Sequence, residues 1–138
     1  MKNPKGKVML PKGEQNLRVV LMGLPADIAE SLSQIVSKRG VILHIPPLFP
    51  ILRSLNLIRE AAPNLAFVWT GDNPGTSLLE AVRRAEPQLP TVAVNSHVNS
   101  PEILDALDSG AVDYCTPPFD LTHIQGLLQA TRNTVCCC

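Results

Sequence analysis

Residues 89–120 read LPTVAVNSHVNSPEILDALDSGAVDYCTPPFD, and the breaks in that stretch set the architecture. TVAV (91–94) is a short apolar run that follows a proline and ends in polar Asn95 and Ser96, the pattern of a strand buried on both faces. Ser100 and Pro101 then offer a cap and a first-turn proline to a short helix through Leu104 and Leu107, with Gly110 as its stop. AVDYC (111–115) is the next strand, and Asp120 is placed to cap a helix bearing Leu121, Ile124, Leu127 and Leu128. A strand that is followed by a helix and then by another buried strand needs a crossover, so the sheet is parallel.

The same alternation extends toward the amino terminus. LRVVLM (17–22) is a doubly buried strand, and Pro25 opens a helix in which Ile28, Leu32, Ile35 and Val36 recur at helical spacing until Gly40. VILHI (41–45) follows, then a stripe of Leu48, Ile51, Leu52, Leu55 and Ile58 that forms a helix despite the prolines at its start and ends at Pro63. LAFVW (65–69), the turn-rich GDNPG (71–75) and a helix from Thr76 through Leu78, Leu79 and Val82 complete the series. Five strands alternating with five helices predict an α/β doubly wound fold with right-handed crossovers and helices on both sheet faces. Residues 17–132 form this one domain; 1–16 read as a disordered basic arm and 133–138 as a Cys-rich tail, with no internal repeat.

Composition narrows the function. With 138 residues, 45% hydrophobic and 17% charged, the chain supports a single real core. Its net charge of zero divides into about +3 over residues 1–16 and about −3 over the rest. A slightly acidic body with one Trp, one Tyr and three Phe offers neither a basic field nor stacking platforms, which argues against direct nucleic-acid binding. No segment has the length of a membrane span or the apolar core of a signal peptide, so the expected location is the cytoplasm.

The four cysteines, Cys115 and the terminal Cys136, Cys137 and Cys138, have neither disulfide-framework nor zinc-site spacing, and His44, His97 and His123 are scattered. Cys115 reads as a small core residue. The terminal run lacks the prenylation pattern, because Val135 stands where that motif needs cysteine; it reads either as an S-acylation site or as an oxidisable end. No metal or cofactor is expected.

The stretch 89–120, most specifically ALDSGAVDY and PFD, resembles the second half of a response-regulator receiver domain, and the likeness continues more weakly from Leu17 to about Arg132. The resemblance implies a flavodoxin-like (βα)5 sandwich of strand order 2-1-3-4-5. It also implies a phosphoryl-accepting aspartate ending the third strand, two acidic Mg²⁺ ligands after the first, a Ser or Thr ending the fourth, and a lysine before the final proline of the last loop. Each serves a transferred group that needs oxygen ligands on a hard cation and fixed positive charge. Here Gly23 and Leu24 stand for the acidic pair, Trp69 and Thr70 at the acceptor, Asn95 at the switch hydroxyl and Pro117 at the lysine. The machinery is absent as a set, so the chain resembles a pseudo-receiver with no catalytic residue. Asp72 is the one nearby carboxylate; it reads either as a substitute acceptor or as a turn aspartate bonding its own backbone.

What is kept points to a surface. Tyr114 occupies the aromatic switch position, and Pro117-Pro118 suits the cis peptide that receivers carry there. Receivers pair or dock through the fourth helix, fifth strand and fifth helix, which here bring Glu102, Asp105, Asp108, Tyr114 and His123. The acidic spacing reads as a docking edge for a basic protein or a second copy, or else as a solvated helix face. The expectation is a phosphorylation-independent interaction module in two-component signalling, not an enzyme. Two rivals stay open: a small-ligand-binding flavodoxin-like domain using the carboxyl-end crevice, and an adaptor tethered by acylated cysteines. GLPAD (23–27) lacks the polar phosphate loop of the former, and no GxGxxG, Walker or cobalamin pattern is present.

Overall fold

Alternate residues of the first strand feed two separate cores, and this explains why helices cover both faces of the sheet. In β1 (Leu17–Met22), Leu17, Val19 and Leu21 enter one buried cluster while Val20 and Met22 enter the other. The structure, a computed structural model, describes residues 17–70, 77–96 and 100–136. Among these, β1 is followed by α1 (Ala26–Val36), β2 (Gly40–Ile45), α2 (Ile51–Ala61), β3 (Leu65–Trp69), α3 (Ser77–Ala85), β4 (Thr91–Val94), α4 (Ser100–Asp108), β5 (Asp113–Cys115) and α5 (Leu121–Cys136). The strands pair in parallel in the order β2-β1-β3-β4-β5, as the resemblance implies. On one face Leu32 and Val36 of α1 and Ile124 and Leu128 of α5 pack on Phe67 and Val94. On the other, Ile58, Leu79, Val82 and Ala106 from α2, α3 and α4 pack on Ala66 and Val68.

Several boundaries differ from the sequence expectation, each for a local reason. Pro25 stands just before α1 as its cap, its carbonyl accepting the Ala29 amide at 2.8 Å. Gly40 does not stop that helix; it opens β2 opposite Leu17, where an added Cβ would meet the Leu17 carbonyl oxygen at 3.1 Å. β5 starts at Asp113, not Ala111, because the Ala111 amide is spent closing α4. It donates to Ala106 O at 3.1 Å while Gly110, at φ 106°, donates to Leu107 O at 3.0 Å. This paired closure takes its left-handed residue from glycine. α5 runs past Arg132 to Cys136, since nothing after Gly126 breaks a helix.

The largest correction concerns the stripe assigned to α2. Leu48 lies outside the helix and is fully exposed, and Ile51 and Leu52 are exposed as well; the helix buries Ser54 and Ile58. Pro46, Pro47 and Pro50 hold the chain out of helical register until Pro50 caps the first turn. The arm 1–16, the turn 71–76 with Asp72, His97, and Cys137 and Cys138 lie outside the described residues, as do the side chains of Ser100, Pro101, Glu102 and Cys136.

Candidate functional site: the carboxyl end of the sheet and its β5 edge

The hydrogen-bond ladders of β1, β3 and β4 continue just past their carboxyl ends, and this brings the singled-out residues together. The Gly23 amide donates to Ile45 O at 2.8 Å, the Thr70 amide to Val94 O at 2.8 Å, and the Asn95 amide to Cys115 O at 3.2 Å. Gly23, Trp69, Thr70, Asn95 and the loop through Pro117 therefore share one end of the sheet.

Their chemistry there is neutral and mostly apolar. Leu24 is fully buried in the cluster beneath α1 and α5, and Trp69 packs against the same cluster. Gly23 has φ 77°, and a Cβ added to it would lie 3.0 Å from Leu78 Cδ2 and 3.6 Å from Trp69 Cβ. Leu78 thus reaches from α3 into the space beside Gly23. The Thr70 hydroxyl donates to Val94 O at 3.3 Å, and Asn95 is 2% exposed. Pro117-Pro118 is cis. Among the described residues no group of three or more His, Cys, Asp or Glu side chains is arranged to hold a metal ion.

Parallel order 2-1-3-4-5 with helices on both faces decides the architecture. The fold is that of a response-regulator receiver. Solved receivers and receiver-like proteins superpose over nearly their whole length. A CheY-like protein (TadZ) from Pseudomonas aeruginosa matches with TM-score 0.68 at 21% identity, covering 84% of this chain and 99% of its own. The receiver domain of NtrX from Brucella abortus gives 0.70 at 22%, covering 84% and 98%. A response regulator from Thermotoga maritima gives 0.72 at 16%, covering 86% and 99%. In sequence, the chain is 31% identical over 75 residues to the virulence transcriptional regulatory protein PhoP of Salmonella typhimurium, with the same figures for PhoP of Salmonella typhi. That match covers 53% of this chain and 34% of PhoP, so the chain spans about a third of the length of the curated relatives it matches. No protein-family model matches.

At the β5 edge of the sheet, Asp105 and Asp108 are exposed on α4 beside the exposed Leu104 and Leu107, with exposed Val112 before β5 and Leu121 opening α5. Asp120 caps α5, accepting from the Thr122 amide at 2.9 Å and the His123 amide at 3.4 Å. His123 Nε2 lies 2.8 Å from Asp113 Oδ2, and Asp113 Oδ1 accepts the Tyr114 amide at 2.7 Å, so strand and helix are joined across the face. Tyr114 is half-buried against the core beneath α2, α3 and α4. Burial, and then the Asp113 carboxylate, push the Cys115 thiol up to about 12. His44 is exposed on the β2 edge.

Sequence reasoning missed Leu78, whose helical spacing marks it only as core, and Asp113, whose pairing with His123 has no sequence signature. It also missed a cavity of about 610 Å³ at the opposite end of the sheet, where Leu65, Leu89, Pro90 and Val112 near the amino ends of β3, β4 and β5 meet Leu127 of α5. No described helix is long and apolar enough to cross a membrane.

Proposed function

We propose that this chain is a receiver-type domain that works without phosphorylation, as a protein-interaction module in signalling or transcriptional control, through its α4-β5-α5 face. The observation that supports this most is the uncharged set of described residues at the carboxyl end of the sheet. Phosphoryl transfer needs an acceptor carboxylate, oxygen ligands for a hard cation and a neutralising cation. Gly23, Leu24, Trp69, Thr70 and Pro117 supply no carboxylate and no cation, Leu24 is buried in the core beneath α1 and α5, and Leu78 lies beside Gly23. The relatives' role as transcriptional regulatory proteins favours transcriptional control as the setting. Small phosphodonors, or beryllofluoride with Mg²⁺, are expected to leave the amide NMR spectrum unchanged. Shifts at Thr70, Asn95 and Tyr114 would mean that an acceptor survives.

The working face is a fixed one. Asp105 and Asp108 flank the exposed Leu104 and Leu107, a mixed apolar and acidic surface suited to a basic protein partner, with a second copy as the other form of this reading. Asp105→Lys with Asp108→Lys is expected to weaken binding about tenfold or more while changing stability by only a few tenths of a kcal/mol. Calorimetric titration of the partner into parent and variant measures the first, and urea unfolding the second. If binding survives this reversal but is lost on substituting Glu30 or Gln34 of α1, the working face is on the other side of the sheet.

A further inference from the structure

The turn between β2 and α2 and the first two residues of α2 form a run of seven apolar residues, Pro46-Pro47-Leu48-Phe49-Pro50-Ile51-Leu52. Leu48 is 102% exposed and Leu52 73% exposed, although both are large apolar side chains. Leu48 also has φ 69°, a left-handed backbone that a bulky L-residue adopts only at a cost. The turn is nevertheless firmly held. Phe49 N donates to Pro46 O at 3.4 Å, the Ser54 amide and hydroxyl donate to Pro50 O at 2.9 and 3.0 Å, and the Arg53 guanidinium lies 5.6 Å from the Phe49 ring centroid. A pre-shaped apolar projection loses little freedom when it is bound, and so large an exposed patch marks a contact surface.

The complementary shape is the cavity of about 610 Å³ at the amino end of the sheet, with Leu65, Leu89, Pro90, Val112 and Leu127 in its walls. Glu86 also lines it, and Ala130 of α5 stands at one side. The turn follows the carboxyl end of the edge strand β2, whereas the cavity lies at the amino ends of β3, β4 and β5. A single chain cannot bring the two together, but a second copy placed head to tail can.

We propose that the Leu48 turn of one copy seats in the Leu65-Leu89-Leu127 cavity of the next. Charge agrees with this occupant: Arg53 accompanies the turn and Glu86 the cavity. Glu86 now meets Arg59 at 3.7 Å, a long contact to an exposed side chain that a guanidinium of the next copy can replace. Because the two surfaces differ, the contact is heterologous and propagates into a ring or a filament. This association is separate from the α4 acidic edge.

Sedimentation velocity over a concentration series tests it with the full chain, Leu48→Asp, Ala130→Arg and an equimolar mixture of the two variants. Both positions are exposed, aspartate accepts a left-handed backbone more readily than leucine, and arginine suits a helix, so both variants are expected to melt as the parent does. The parent is expected to grow beyond a dimer with concentration, and each variant to associate at least about tenfold more weakly, the worth of one buried leucine. The mixture is expected to stop at a dimer, because each pair keeps one intact turn and one intact cavity. Asp105→Lys with Asp108→Lys is run beside them to separate this contact from one made through α4. A parent that stays monomeric throughout overturns the proposal, as does a mixture that stays monomeric or variants that assemble unchanged. If the charge reversal abolishes assembly while Leu48→Asp preserves it, the copies join through α4 instead. A monomer whose Leu89 and Leu127 amides exchange faster once residues 1–16 are removed would assign the cavity to the chain's own amino-terminal segment.

Discussion

Leu24→Asp, which returns one acidic residue to the end of β1, is expected to destabilise the domain by about 4–5 kcal/mol or more. Leu24 is fully buried among Leu32, Phe67 and Val94. The substitution removes those apolar contacts and also places a carboxylate where the residues around it are hydrocarbon. Such a carboxyl group would have its pKa raised in the folded state, so its penalty grows as pH rises above the unfolded value near 4 and shrinks on acidification. Urea unfolding at pH 7 and pH 4.5 is therefore expected to show a larger gap between parent and variant at pH 7. Gly23→Asp should cost less: its φ of 77° is strained for aspartate, but the nearest neighbour is the movable end of Leu78, at 3.0 Å from the added Cβ. A Leu24→Asp chain within about 1 kcal/mol of the parent would mean that water reaches this site and that the pocket is still polar. The proposal of a domain without phosphoryl chemistry would then lose its main support.

The fold was legible where burial is continuous. LRVVLM, LAFVW and TVAV match β1, β3 and β4 residue for residue, because strands roofed on both faces are unbroken apolar runs bounded by turn residues. Legibility failed where a backbone group serves a neighbouring element. Ala111 looks like strand from its own side chain, yet its amide belongs to the closure of α4. It failed again at Leu48, where helical spacing suggested burial and the prolines place the side chain in solvent. At the site, residue identity was readable and packing was not. Neutral residues at the positions that the resemblance assigns to phosphoryl chemistry follow from Gly23, Leu24 and Pro117 alone. That Leu78 fills the space beside Gly23 depends on the placement of a helix more than fifty residues away, and the Asp113–His123 contact on where β5 meets α5. The amino-end cavity, made from three strand starts and one helix, has no local pattern.

The second large effect is expected at alkaline pH. Cys115 ends the edge strand β5, and its thiol is raised from the ordinary 9.0 to about 12, first by burial and then by the charge of Asp113. Unfolding exposes the thiol to water and lets it ionise near 9, whereas the folded chain keeps it neutral until about 12. The unfolded state therefore gains stability across that window, while below pH 9 the thiol exerts no such pull. Between pH 9 and 12 the parent is expected to lose about 4 kcal/mol more than Cys115→Ala. The variant carries only a constant packing loss, and every other ionisable group is common to both chains, so the difference between their profiles isolates this thiol. Urea midpoints at half-unit pH steps measure it. Parallel profiles would mean that Cys115 ionises while the chain is folded, which requires β5 to open to water. That result would reach beyond stability: the Asn95 amide bonds to Cys115 O at 3.2 Å, and Asp113 and Tyr114 precede the thiol on the same three-residue strand. A β5 that opened so readily could not hold the α4-β5-α5 face in the fixed shape on which the proposed phosphorylation-independent binding depends.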